Sequence, residues 1–321
     1  MRDVSGKIAV VTGGGSGIGR ELVRQLVAEG CNVSMCDISL RAMQVTRRLC
    51  ESSGALQGVR ITTHRADVSD EAQVLQFRDE VAAQQETDRV HLLFNNAGIT
   101  GGGSLFSDSR RSWERTFNIC WGGVYLNTRA FLPMLRKAHA AHIVNMSSVS
   151  GFWASAGPHA PHTAYSAAKF AIKGFTEALI ADLRVNAPHI KCSVVMPGHV
   201  GTSILVNSQK IQTSSNGESL SDIAQMRRHL AFLGTAVSTM SDEVIRKAAI
   251  ERARRYLEEA PTTAQQAATI ILDGVKADRW RILVGKDAER LDELVRGVPE
   301  QAYEVDFHER FATEMDWLIG R

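Results

Sequence analysis

The run Thr12-Gly13-Gly14-Gly15-Ser16-Gly17-Ile18-Gly19 follows the apolar segment Ile8–Val11 and opens a stretch where Ile18, Leu22, Val23, Leu26 and Val27 recur at helical spacing. A strand that passes through glycines into a helix is suited to holding an anion. Glycines allow a sharp turn and a close backbone approach, and the first N–H groups of a helix have no internal partner. Gly13, Ser16, Gly17, Ile18 and Gly19 are therefore expected at a pyrophosphate. Asp37 stands eighteen residues after Gly19, at the end of the next apolar run, Val33–Cys36. An acid at that place accepts hydrogen bonds from the adenosine ribose of a dinucleotide. Its charge would also repel a 2′-phosphate, by roughly 1 kcal/mol at ~4 Å in water and ~4 kcal/mol at an effective dielectric of about 20. Ser16 fills the place where a basic side chain would have met that phosphate. NAD, rather than NADP, is the expected cofactor.

Further short apolar runs alternate with helical patterns: Arg60–His64, Val90–Phe94, His142–Met146, Lys191–Met196 and Arg281–Val284, with helices near 70–85, 112–137, 164–185 and 263–276. Repeated strand–helix–strand units predict an α/β protein: a doubly wound, seven-stranded, mostly parallel sheet with helices on both faces. Residues 203–262 interrupt the rhythm with a polar stretch, Asn207–Ser221, two helical patterns and no strand. Ser241 before Asp242 and Glu243 looks like a helix cap, and Thr263 to Gln266 like a capping box. An insertion after the sixth strand emerges where ligands bind in such folds, so 203–262 is read as a substrate lid. In the tail, residues 286–321, Leu291, Leu294 and Val295 share a helical face ahead of Tyr303, Phe307, Phe311 and Trp317. That tail is expected to pack on its own subunit or on a neighbour.

Composition narrows the function. The chain has 321 residues, 44% hydrophobic and 22% charged, with a net charge of +2. This is ordinary for a globular protein with a full core, and the even mixture of charges gives no case for nucleic acid or a membrane surface. No apolar run approaches the roughly 20 residues of a membrane span, and no leader is visible at the start. Five dispersed cysteines without a Cys-x-x-Cys pair suit a reducing compartment, so a cytoplasmic location is expected. The ten histidines show no metal-ligand spacing, so no metal is expected.

Four motifs then occur in one order: the glycine run 12–19, Asn95-Asn96-Ala97-Gly98, Tyr165-Ser166-Ala167-Ala168-Lys169, and Pro197-Gly198-His199-Val200-Gly201-Thr202. In this order and spacing they resemble the short-chain dehydrogenase/reductase family, over roughly residues 5–202 and more loosely over 263–285. The resemblance implies one Rossmann-type domain spanning 1–321, a nicotinamide cofactor, and hydride transfer between a secondary alcohol and a ketone. It implies a tetrad of Asn118, Ser148, Tyr165 and Lys169. Tyr165 would be the general base; Lys169, four residues on and on the same helical face, would favour the phenolate together with the positive nicotinamide. Ser148, with Ser147 as the alternative, would stabilise charge on the substrate oxygen. Asn118 would position a water behind the lysine. The resemblance further places Asp67 and Val68 at adenine, Tyr165 and Lys169 at the nicotinamide ribose, and Pro197, Gly198, Val200 and Thr202 around the carboxamide. It has Asn95 tether the turn after the fourth strand, with its backbone, Ala97 and Gly98 bordering the adenosine half and a structural role for 95–98 as the alternative. It implies a homotetramer or dimer built through the helices at 112–137 and 164–185.

Two departures stand out. Ser148 and Tyr165 are farther apart than is usual in the family, and the surplus falls in Gly157–Thr163, whose His159 and His162 read as solvent-facing, with substrate contact as the alternative. The lid and tail also exceed the common length. Phe152, Trp153, Ile204 and Leu205 are expected to make an apolar wall for a cyclic or otherwise hydrophobic small-molecule alcohol or ketone. Two other readings compete: an NAD-sensing protein without turnover, which replacement of Tyr165 by Phe would distinguish, and an NAD-using epimerase or dehydratase, which normally has different glycine spacing.

Overall fold

The structure, a computed structural model, describes residues 2–53, 58–158, 160–214, 223–232, 237, 239–317 and 319. The chain begins β1 (Ile8–Thr12), α1 (Gly17–Ala28), β2 (Asn32–Asp37), α2 (Leu40–Ser52), β3 (Ile61–Arg65), α3 (Glu71–Gln84) and β4 (Leu92–Asn95). Next, α4 (Arg110–Phe117) runs through a π-helical turn at Asn118–Gly122 into α5 (Gly123–Arg136). Then come β5 (Ala141–Met146), a 3₁₀ turn at Val149–Gly151, α6 (Thr163–Asn186), β6 (Ile190–Pro197) and β7 (Val200–Gly201). The remainder is α7 (Ile204–Ser214), α8 (Ile223–Phe232), α9 (Asp242–Glu258), β8 (Thr262–Thr263), α10 (Ala264–Lys276), β9 (Arg281–Val284), α11 (Lys286–Gly297) and α12 (Val305–Glu314).

Strands buried on both faces read as continuous apolar runs, because crossover helices cover each side. Here β4 and β5 are buried throughout. The main sheet has seven strands in the order β3-β2-β1-β4-β5-β6-β9, and every neighbouring pair is parallel. The doubly wound α/β architecture read from the sequence is thus the one found, with strand ends displaced by one or two residues. Alternate strand residues face opposite sides. Val11, Val33 and Phe94 meet Leu22 and Leu26 of α1 and Ile271 and Leu272 of α10. Val10, Leu93 and Ile143 meet Phe77, Phe131, Leu135 and Leu183. Helix starts follow capping chemistry: Ser39, Asp70, Ser109, Ser241 and Thr263 each accept a first-turn N–H, and Thr263 with Gln266 completes the expected capping box.

The excursion after β6 leaves and returns at one place. β7 and β8 pair in parallel, Val200 opposite Thr262 and Gly201 opposite Thr263, forming a second, two-stranded sheet. Among the described residues three helices lie between them where two were expected, and α7 begins ahead of the polar stretch and runs into it; residues 215–222 lie outside the described residues. The tail folds onto its own chain. Leu291, Phe307, Phe311 and Trp317 cluster with Val149 and Trp153. The Trp153 indole donates to the Ala302 carbonyl at 2.6 Å, and the Tyr303 hydroxyl accepts the Ala154 N–H at 3.1 Å. Phe152 and Trp153 therefore serve the tail's core instead of the substrate wall expected of them. Among the described residues no helix is long and apolar enough to cross a membrane.

Because Phe311 is fully buried in this cluster, Phe311→Ala is expected to lower stability by about 3–5 kcal/mol in denaturant unfolding. A loss below about 0.5 kcal/mol would mean that the tail is not docked as described.

Candidate active site

At the carboxyl edge of the sheet the strand order reverses between β1 and β4, and crevices at such points bind ligands. Thr12 holds this crevice open. Its hydroxyl accepts the N–H groups of Asn96 and Ala97, both at 3.0 Å, and the Asn96 amide donates to the Thr12 carbonyl. A cavity of about 860 Å³ runs from here along the strand ends. Gly13, Ser16, Gly17, Ile18, Asp37, Asp67, Val68, Ala97 and Gly98 line it toward β3; Ser148, Tyr165, Lys169, Pro197, Gly198, Val200 and Thr202 line it toward β6.

The glycine end is built for an anion. Of the helices that open on strand ends here, α1 has no side-chain cap, because the Ser16 hydroxyl instead accepts from the Asn207 amide at 3.2 Å. Its first N–H groups are left to whatever occupies the cavity. Gly17 has φ 53°, a conformation that favours glycine. Gly19 does not line the cavity; a Cβ there would collide with the Gly13 carbonyl, so its bareness closes the turn. Asp37 accepts the N–H of Gly15 at 3.1 Å and of Ser39 at 3.0 Å, which leaves lone pairs facing the cavity. Burial raises its carboxyl above the ordinary carboxylate value, against the pull of those N–H groups and of the Arg20 charge. Two residues unforeseen in the sequence join this end: Arg20, donating to the Gly15 carbonyl at 2.6 Å, and Arg115, 3.8 Å from the Asp67 carboxylate. Arg20 directly follows the glycine run, which was a usable signal.

Toward β6, α6 carries Tyr165 and Lys169 one turn apart on the cavity side. Lys169 is buried and its amine donates to the Met146 carbonyl, the last of β5, at 2.8 Å. It lies 5.2 Å from the Tyr165 ring centroid. The Ser148 hydroxyl accepts the Ser150 N–H at 3.1 Å and lies close enough to the Tyr165 phenol to favour its ionised form, whereas Ser147 is spent on the Lys169 carbonyl at 2.8 Å; Ser148 is the serine at the phenol. Burial dominates both titrating groups. It pushes the Tyr165 phenol well above its usual range, with Cys120 and Tyr256 adding to the rise, and it pulls the Lys169 amine down. By itself the protein does not make this phenol acidic, contrary to what a nearby lysine alone would suggest.

The loop at Pro197–Thr202 is held from outside. The His199 N–H donates to Asp287 at 2.6 Å, and Gly198 lacks the side chain that would strike that carboxylate. From the insert, Ile204 and Leu205 of α7 and Arg252 and Tyr256 of α9 line the cavity, as do Trp317 and Ile319 of the tail. Among these, the sequence reading had singled out only Ile204 and Leu205 for this wall; an Arg and a Tyr four apart on α9 were the overlooked pattern.

A family model for short chain dehydrogenases matches residues 7–213. The chain belongs to the short-chain dehydrogenase family. It is 32% identical over 296 residues to SadH of Mycobacterium tuberculosis, which its name classes among oxidoreductases, covering 92% of each chain. It is 34% identical over 207 residues to cyclopentanol dehydrogenase of Comamonas testosteroni, 63% of this chain and 76% of that one. Among solved structures it resembles a short-chain dehydrogenase/reductase of Burkholderia phymatum in complex with NAD, with TM-score 0.75 and 27% identity over 94% of this chain and 96% of that chain. A metagenomic short-chain oxidoreductase in complex with NADP matches with TM-score 0.53 and 29% identity, over 61% of this chain and 83% of that chain. The protein is thus an oxidoreductase of this family with a nucleotide-binding fold.

Within the family three expectations change. Asn118, placed in the tetrad from sequence, is exposed and does not line the cavity. Ile119 of the π-turn lines the cavity, and the next residue is the buried Cys120. Its sulfur lies 3.2 Å from the Ile99 carbonyl, and a Cβ on Gly98 would sit 3.5 Å from that sulfur and 3.7 Å from the Lys169 amine. Asn95, expected beside the adenosine half, is buried behind the cavity and donates to Thr128 at 3.0 Å and Asn145 at 2.8 Å. Asn96 lines the cavity in its place. His162 also lines the cavity and is not a solvent-facing loop side chain; His159 lies outside the described residues. Asn118→Ala is accordingly expected to change nicotinamide-linked turnover by no more than about twofold, the scale of a surface substitution. A fall of two orders of magnitude would return Asn118 to the site.

Proposed function

We propose that the protein is an NAD-dependent dehydrogenase/reductase that interconverts a secondary alcohol and a ketone, with Tyr165 as general acid/base. The observation that carries this reading is the meeting of Ser148, Tyr165 and Lys169 on one wall of a cavity whose far end holds an uncapped helix N-terminus and Asp37. A nicotinamide dinucleotide bound along this cavity supplies the hydride acceptor or donor. The chain's own groups do the rest. N–H groups at Gly17 and Ile18, beside Gly13 and Ser16, hold the pyrophosphate, Asp37 accepts from ribose hydroxyls, Asp67 and Val68 meet adenine, and Pro197 to Thr202, with Thr202 at the carboxamide, fix the ring. Ser148 donates to the substrate oxygen, and Tyr165 takes or returns the hydroxyl proton. Lys169 orients the phenol's surroundings through its tie to Met146 and reaches the nicotinamide ribose.

NAD is favoured over NADP because Asp37 stands at the ribose end, Ser16 adds no basic partner for a phosphate, and the nearby Arg20 is engaged by the Gly15 carbonyl and the Thr46 hydroxyl. The substrate is read as a hydrophobic, cyclic alcohol or ketone. Ile204, Leu205, Tyr256 and Trp317 supply apolar walls, and the likeness to cyclopentanol dehydrogenase points the same way. The chain is treated as one domain in which the segment 203–262 closes the cavity as a lid. A cytoplasmic location agrees with five free cysteines, and pairing of copies through α4–α6 agrees with the exposed rings of Tyr125 and Phe170.

A panel of secondary alcohols with NAD⁺ and NADP⁺, followed by formation of the reduced nicotinamide, tests the reading; turnover confined to short polar sugars or hydroxy acids would remove the substrate class. Tyr165→Phe should lower kcat/KM by roughly 10²–10⁴ while NAD⁺ still binds; retained turnover would end the assignment of Tyr165. Asp37→Ser should raise relative use of NADP⁺ by about fivefold to several hundredfold, read from the kcat/KM ratio of the two cofactors. Since burial raises Asp37, the native enzyme's preference should fade on the acid side at a higher pH than an ordinary carboxylate near 4 would allow. A pH-independent preference would show that Asp37 does not set it.

A further inference from the structure

His162 sits just before α6, at the end of the segment that lengthens the spacing from Ser148 to Tyr165. Its imidazole lies against the Tyr165 ring with centroids 4.7 Å apart and planes 24° from parallel. Its Nε2 meets the Thr100 hydroxyl at 2.9 Å. The Thr100 N–H in turn donates to Ser208 of α7, also at 2.9 Å, and Ser208 is buried. His162, Thr100 and Tyr165 all line the cavity. The imidazole is thus held from two directions, one of them leading to the first helix of the insert.

Its chemistry answers a need of the site. The Lys169 amine is directed to Met146, and the π-turn presents to the cavity the apolar side chain of Ile119, which has no hydrogen-bonding capacity. Imidazole is the side chain that changes charge in the neutral range, and as a cation on a phenol face it is attracted to the ring and more strongly to its ionised form. We propose that His162 is a positioning residue for Tyr165: it fixes the ring's face, favours the ionised phenol when protonated, and ties that setting to the seating of α7 through Thr100 and Ser208. This rests on the reading of Tyr165 as the acid/base. The two rings titrate as a pair. The charged and titratable groups around them are Lys169 on α6, Cys120 in the π-turn, Lys210 on α7, Arg252 and Tyr256 on α9, and Asp108, whose carboxylate accepts the Ser104 N–H at 3.0 Å.

The test is the pH profile of alcohol oxidation. His162→Phe keeps an aromatic ring against Tyr165 and removes the charge. It should move the acid limb of kcat/KM upward by about one pH unit, the size expected for a charge at this separation between aqueous and protein-like screening. Thr100→Val, which frees the imidazole from one tether, should move it in the same direction by less. Unfolding temperature and NAD⁺ affinity of both variants should stay near wild type. Unchanged profiles in both variants, or a loss of rate equal at every pH, would overturn the proposal. Failure of the underlying reading is separately visible, since Tyr165→Phe would then keep its turnover.

Discussion

Burial governs the chemistry available to this cavity. A phenol half-buried in the cavity wall and a fully buried amine lie one helical turn apart, and taking either charged form out of water is costly. The phenol is driven up and the amine down, so both tend to neutrality in the protein alone. The arrangement becomes reactive when positive charge is added beside the phenol, because in so dry a wall each charge acts with little screening. The same burial fixes geometry. Lys169 cannot swing away while its amine satisfies the last carbonyl of β5, and the Ser147 hydroxyl clamps the lysine's own carbonyl. The position of Tyr165 follows from a helix pinned twice to the end of β5.

The anion-binding end uses the opposite strategy. Helices α2, α3 and α4 receive their own side-chain caps, whereas α1 keeps bare N–H groups directed at the cavity. The charges at this end occur in opposed pairs, Asp37 near Arg20 and Asp67 near Arg115, so each acid has an opposite charge beside it. The matched family region stops at residue 213, yet Asp287 holds the Gly198–His199 turn and Tyr256, Arg252 and Trp317 form part of the wall. Elements outside the region matched by the family model thus shape part of the cavity wall.

Much of this was legible from residue order. Strand runs, the glycine turn, Asp37 and the Tyr165–Lys169 pair depend on local pattern, and the chain's local preferences agree with its global fold. What failed depended on phase or on distant packing. Asn118 was misplaced because a π-turn residue's direction follows from the helix around it, and here the neighbouring Ile119 is the one that lines the cavity. Asn95 and Asn96 are chemically identical neighbours, and only the strand's alternation sends one behind the sheet edge and the other into the crevice. Phe152 and Trp153 looked like a substrate wall because nothing local announces that a helix 150 residues later will cover them. His162 was masked by its loop composition, since the stack on Tyr165 arises only when the loop closes onto α6.

The central claim is that Tyr165 remains protonated in the protein alone and ionises when a positive nicotinamide stands beside it. The direct measurement is the ultraviolet difference titration of tyrosinate, wild type minus Tyr165→Phe, with and without NAD⁺. The account predicts no Tyr165 signal near the ordinary phenol value of about 10 in the protein alone, and a signal moved below that value once NAD⁺ is bound. A Tyr165 signal near neutrality without cofactor, or one that NAD⁺ leaves in place, would contradict it.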